Sequence, residues 1–178
     1  MFRDYLDLLK KVDDFTNNLK AKHNEKITCH SGCSKCCITG ITVWKIEFDH
    51  LQTNSPSYKL TSPPDDSSRC KFLNANGLCS IYKIRPLVCR LWGLPLMIGP
   101  DTADSLHKLD SSITKNGSGS VLMCCDLNFD GDISKAALPA NDLLNADLVL
   151  TTLAAINHVY CEKFDSDVTK RFSIESII

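Results

Sequence analysis

The sequence predicts a small single domain, mainly α-helical with short irregular strands, organised round a cysteine-ligated metal site. Three observations predict it. Ten cysteines fall in a chain of 178 residues, and seven of them crowd between positions 29 and 89. An amphipathic helix opens the chain. A strongly apolar helix lies in its last third. No internal repeat and no linker-like segment divides the chain, so residues 1–178 read as one domain long enough to bury a core.

The first helix is expected over 2–22. Phe2, Tyr5, Leu6, Leu9, Val12, Phe15 and Leu19 recur at steps of three and four, with charged residues between them. The run Cys-His-Ser-Gly-Cys-Ser-Lys-Cys-Cys (29–37) follows, and Gly32 with its serines favours a turn that curls backbone round a ligand. Ile38–Val43 alternates weakly, as a short strand would, and Trp44–Leu51 reads as a helix. Residues 52–69 form a polar loop. Cys70–Cys79 brackets Asn76-Gly77, a turn signal, so a small hairpin is expected to bring these two cysteines together. Pro86 suits the first position of a helix and keeps Arg85 extended. Cys89 then falls in the first helical turn, where the dipole favours thiolate. Residues 110–120 are flexible in composition, and 128–132 (Asn-Phe-Asp-Gly-Asp) read as a turn whose acid spacing does not fit a calcium loop. From about 142 to 164 apolar residues cover most of the helical circumference, which predicts a central buried helix with Cys161 in the core. Val168–Ile178 supplies a last short element.

Thiols spaced in this way are ligands for soft metals, because thiolate binds zinc and iron strongly. The candidate ligands are Cys29, Cys33, Cys36, Cys37, Cys70, Cys79 and Cys89, with one of the pair Cys124 and Cys125 making eight. Adjacent side chains such as those of Cys36 and Cys37 are expected to diverge, one of them a ligand and the other in a different site or in packing. Eight thiols divide into two four-thiolate sites, or into one [4Fe–4S] cluster with a structural site or spare redox thiols. Histidine ligation by His30 or His107 is the minority reading. Four thiolates on a divalent centre leave a charge of about −2. Lys35, Arg69, Lys71, Arg85 and Arg90 are placed in sequence to offset it. Arg85, Arg90 and Tyr82 are candidates for supporting the ligands or binding an anionic substrate. The spacing of Cys29, Cys33 and Cys36 is also that of radical S-adenosylmethionine enzymes, but the chain lacks their strand–helix alternation and has Lys35 where an aromatic is usual.

Composition limits the remaining choices. The net charge of −1 excludes nucleic-acid binding by bulk electrostatics, and no apolar run reaches the roughly 20 residues of a membrane span. The amphipathic, acid-containing start is not a signal peptide. A cytoplasmic location is therefore expected, where thiols stay reduced and a disulfide framework is disfavoured.

Cys29-x3-Cys33-x2-Cys36-Cys37, then Cys70-Lys-Phe-Leu, then Gly77-Leu-Cys79-Ser-Ile-Tyr-Lys-Ile-Arg-Pro-Leu-Val-Cys89-Arg90, closely resembles the YkgJ-type cysteine-cluster family over about 29–125. That family is described as a zinc- or iron-chelating domain and includes the flagellin lysine N-methylases. The family often carries Thr-x-x-Glu after the double cysteine; here Glu47 is present but Trp44 stands at the threonine position. The resemblance implies metal bound by cysteines, as a [4Fe–4S] cluster or zinc, and a protein or peptide substrate for a methyltransferase-like enzyme. The alternatives are a non-catalytic zinc-stabilised binding module and a thiol-rich metal carrier or redox sensor.

Overall fold

Arg3–Lys22 folds into helix α1 because Tyr5, Leu8, Leu9, Val12 and Leu19 make one continuous apolar stripe, and all five are buried. The stripe differs by one position from the sequence expectation: Leu6 faces solvent and Leu8 takes its place in the core. The computed structural model describes residues 1–55, 67–109 and 116–177. The polar loop expected over 52–69 and the segment 110–120 therefore lie for the most part outside the described residues.

Helix α2 (Lys45–Asn54) begins after an extended Trp44. Indole has no acceptor, so the hydroxyl half of a capping box is missing. The other half is intact, with Glu47 Oε2 accepting the Trp44 N–H at 3.1 Å. Its second oxygen accepts the Leu87 N–H at 3.0 Å. One buried carboxyl group thus ties the start of α2 to the start of α3 (Leu87–Leu91), where Pro86 is the N-cap and Cys89 the third helical residue.

Helix α5 (Ala146–Lys163) is capped by Asn145, whose side chain accepts the Leu148 N–H at 2.9 Å. It is not the all-round buried helix expected from its composition. Val149, Leu153, Asn157, Tyr160 and Cys161 are buried on one side against α1 and α2, whereas Leu148 is 65% exposed and Leu150 and Val159 also face outward. Apolar content alone did not reveal which face would find a partner. Cys161 lies in the core as expected.

Between α3 and α5 the chain builds elements that the sequence pattern did not reveal. Strand β2 (Leu96–Ile98) pairs antiparallel with β3 (Val121–Met123) and parallel with β4 (Leu144–Asn145), giving the order β3-β2-β4. Helix α4 (Pro100–Leu109) follows β2 directly. Near the N-terminal half, β1 (Thr42–Val43) pairs antiparallel with β5 (Phe172–Ser173) from the tail, which is the last short element expected there. The architecture is accordingly mixed rather than mainly α: the structure is 46% helical, with five α-helices and short strands among the described residues. No helix among them is long and apolar enough to cross a membrane.

Two large apolar clusters hold the molecule, with a smaller third formed by Ile98, Ala103, Val121 and Ala146. The larger joins α1, α3 and α5 through Tyr5, Leu9, Val12, Leu87, Leu91 and Leu153. The second gathers Val43, Leu51, Phe72, Leu73, Ile81, Ile174 and Ile177. Phe72 and Ile174 belong to segments distant in sequence, so this second core draws the tail onto the cysteine-bearing loops.

Candidate metal centre

All ten cysteines are free thiols. Seven of them, Cys29, Cys33, Cys36, Cys37, Cys70, Cys79 and Cys89, line one pocket of about 90 Å³. The pocket also takes Leu94 from the first apolar cluster and Leu73, Ile81 and Ile174 from the second or its margin, so it lies where the two cores meet.

Local devices bring each segment there. Two tight turns curl the first run, closed by Cys33 N–H to His30 O at 3.1 Å and Cys37 N–H to Ser34 O at 3.0 Å. Gly32 supplies the positive φ of 101° within the first of them. Cys70 N–H then donates to Cys37 O at 3.1 Å, joining the first cysteine segment to the second. The Arg69 guanidinium reinforces this junction by donating to Ser34 O at 2.6 Å and to Ser34 Oγ at 2.8 Å. The expected hairpin between Cys70 and Cys79 is reduced to one bridge, Leu73 with Cys79. Its tip is held by the Asn74 side chain, which accepts from both Asn76 N–H and Leu78 N–H at 2.9 Å.

Cys36 and Cys37 do not diverge. Both line the pocket and hydrogen-bond to each other. That shared bond pulls the Cys36 thiol down to about 6, and the same bond with burial pushes Cys37 up. The turn closed by Ser34 O places consecutive side chains on one concave wall, which a sequence argument from extended geometry misses. Cys89 is also corrected. Its place in the first turn of α3 does not produce a thiolate: burial pushes it up to about 12, and the neighbouring thiols of Cys70, Cys79 and Cys36 add to the effect. A helix of five residues offers little dipole against that desolvation. Burial likewise raises Cys70 and Cys79.

Cys124 and Cys125 stand apart from this pocket, on the side of Cys29. Asn128, 1% exposed, organises that side. Its Nδ2 donates to Gly93 O at 2.6 Å and to Cys29 Sγ at 3.3 Å, while its Oδ1 accepts the Thr28 N–H at 2.8 Å. Cys124 Sγ donates to the same Gly93 carbonyl at 3.2 Å. Burial pushes Cys124 up to about 11.

The basic residues divide by role. Arg85 lies 4.0 Å from the centre of the Tyr82 ring and donates to Tyr82 O at 2.8 Å. Both residues line the pocket, and the Arg85 charge lowers Cys36, Cys79 and Cys89. Arg90 is not a solvated surface charge. At 8% exposed it donates to Arg85 O and to Lys83 O, each at 3.0 Å, and pairs with Asp13. It pins the Tyr82–Pro86 segment to α1. Lys71 donates to Glu175 O and Ile177 O, both at 2.6 Å, tying down the tail, and Lys35 pairs with Asp126 at 2.5 Å. His30 lines the pocket and bonds its own neighbour, Ser31 O, at 2.8 Å. The His107 side chain lies outside the described residues. Glu47, Gly93 and Asn128 were missed as site residues from sequence; a loop asparagine and a lone glycine carry no periodicity that marks them.

Among the described residues, no group of three or more cysteine, histidine or acidic side chains is arranged to hold a metal ion as it stands. The donor set nevertheless suits one. Burial holds Cys70, Cys79 and Cys89 protonated at neutral pH unless a cation joins them, and a soft metal is the cation thiolates prefer.

The fold and the gathered thiols define a cysteine-cluster protein of mixed helix-and-strand architecture. Residues 28–105 match the family CxxCxxCC, described as a "putative zinc- or iron-chelating domain", in agreement with the cysteine-cluster resemblance of the sequence. No curated protein and no solved structure matches the chain significantly.

Proposed function

We propose that this protein binds metal through its cysteines and holds a [4Fe–4S] cluster in the pocket walled by Cys36, Cys37, Cys70, Cys79 and Cys89. The observation that carries the reading is the convergence of free thiols from three sequence segments on one cavity of about 90 Å³. Open space among several thiols suits a cluster with sulfide bridges better than a single tetrahedral zinc ion. When bound, the group supplies the positive charge that lets buried thiols lose their protons. The chain's own part is to hold those thiols on one wall, with Arg85 and Arg69 offsetting the negative charge from either side. Action on a protein or peptide substrate follows from the lysine-methylase resemblance. It is supported by the exposed Trp92 at the pocket and by the exposed Leu78 beside Gly32 on its wall, apolar groups that a peptide could cover.

The test is iron, sulfide and zinc analysis with an optical spectrum on protein purified without oxygen. Iron and sulfide with a broad band near ~400 nm are expected. Colourless protein with stoichiometric zinc would replace the cluster by a closed zinc module. Cys79→Ser and Cys89→Ser should each lose the metal and lower the melting temperature, because such binding contributes directly to folding. Cys161→Ala should leave metal content unchanged.

A further inference from the structure

We propose that Cys29, Cys33, Cys124 and Cys125 form a second metal site, at the edge of the pocket that Cys29 and Cys33 also line, that takes one soft divalent cation of the zinc class. Two of its four thiols come from beyond residue 105, outside the matched domain, so the site joins that domain to the chain that follows it.

Geometry ties Cys124 and Cys125, which lie off the inner pocket, to Cys29, which lines it. Cys29 and Cys124 share their neighbours: Asn128 Nδ2 donates to Cys29 Sγ at 3.3 Å, and Cys124 donates at 3.2 Å to the Gly93 carbonyl that Asn128 also holds. An amide N–H aimed at a sulfur is the kind of outer support that metal-bound thiolates receive. Gly93 is part of the same cradle. Its φ is +97°, and a Cβ there would stand 2.5 Å from Cys29 Sγ, so only glycine lets the loop after α3 close over this thiol. Cys125 follows Cys124 directly, and its carbonyl accepts the Asn128 N–H at 2.9 Å, which fixes the turn. Lys35, two residues from Cys33, pairs with Asp126 next to Cys125 at 2.5 Å and so links the two cysteine segments across the site. The four thiols are not drawn into a tetrahedron here; closure by the ion belongs to the proposal.

The second site rests on the metal-binding reading but fails independently of it. The full chain, reduced and stripped of metal, is titrated with zinc alone, and each cysteine's protection from alkylation is read by mass spectrometry. Wild type should bind two ions, with Cys29, Cys33, Cys124 and Cys125 all protected at saturation. Cys124→Ser/Cys125→Ser should bind one ion and leave Cys70, Cys79 and Cys89 protected. Asn128→Ala should weaken one site at least ten-fold and spare the other. Protection of the inner cysteines with the four outer ones freely alkylated would overturn the second site and keep the first. Protection of none would overturn the second site, while the inner pocket is decided by the iron and sulfide analysis. Because the footprint of wild type decides the matter, a variant that fails to fold does not obscure it.

Discussion

Gly93 shows how much of this site depends on single atoms. A methyl group added there meets Cys29 Sγ on a backbone of positive φ. Gly93→Ala should therefore cost about 1–3 kcal/mol in thermal or urea unfolding, well above an ordinary surface glycine substitution. Glu47 makes a second case. It accepts from the starts of two helices while almost wholly buried, and burial raises its carboxyl above the ordinary range. Glu47→Ala orphans the Leu87 and Trp44 amides, with an expected loss of about 1–3 kcal/mol and weaker metal retention, since α3 carries Cys89. Unchanged metal content in that variant would disconnect the carboxyl from the site. The thiols give the pH dependence. Cys89 at about 12 and Cys124 at about 11 are protonated in the metal-free protein at neutral pH, so binding must expel protons. Affinity should fall as pH drops from 8 to 6, and calorimetry in buffers of different ionisation enthalpy should register proton release. At this scale the ligand residue types were legible, because cysteine spacing is a strong signal. Their side-chain directions were not, since the turn at Ser34–Cys37 reverses the expectation for adjacent residues.

The elements divide by length. Helices α1 and α5 were readable because 20 and 18 residues give several turns of periodicity. Strands β2 and β3, three residues each, give no alternation to detect, and their pairing is set by contacts between segments distant in sequence, as with Leu96 and Met123 or Ile98 and Val121. Helix α4 was missed although its start is marked by Pro100 and Asp101. The cap of α5 offers a clean check on its boundary. Asn145→Ala removes the acceptor for Leu148 N–H and should cost about 1 kcal/mol. Leu148→Lys, on the exposed face, should change stability by no more than about 0.5 kcal/mol. A large loss from Leu148→Lys would show that this face packs against something.

At the scale of the whole molecule, the pocket occupies the seam between two apolar cores, and the thiols crossing that seam come from both sides of it. A metal group held there links the cores as no single apolar contact does. It follows that metal removal should loosen the second core, with its short strands β1 and β5, more than the α1–α5 pairing, and amide hydrogen exchange with and without chelator should show that order. The seam itself could not be read from sequence, because it depends on Ile174 and Ile177 returning to Phe72 and Leu73. One measurement bears most directly on the central claim: metal content and melting temperature of protein purified without oxygen, before and after chelation. Bound metal whose removal lowers the melting temperature by many degrees is the expected result. Protein that emerges metal-free, fully folded and indifferent to both chelator and added metal would contradict it.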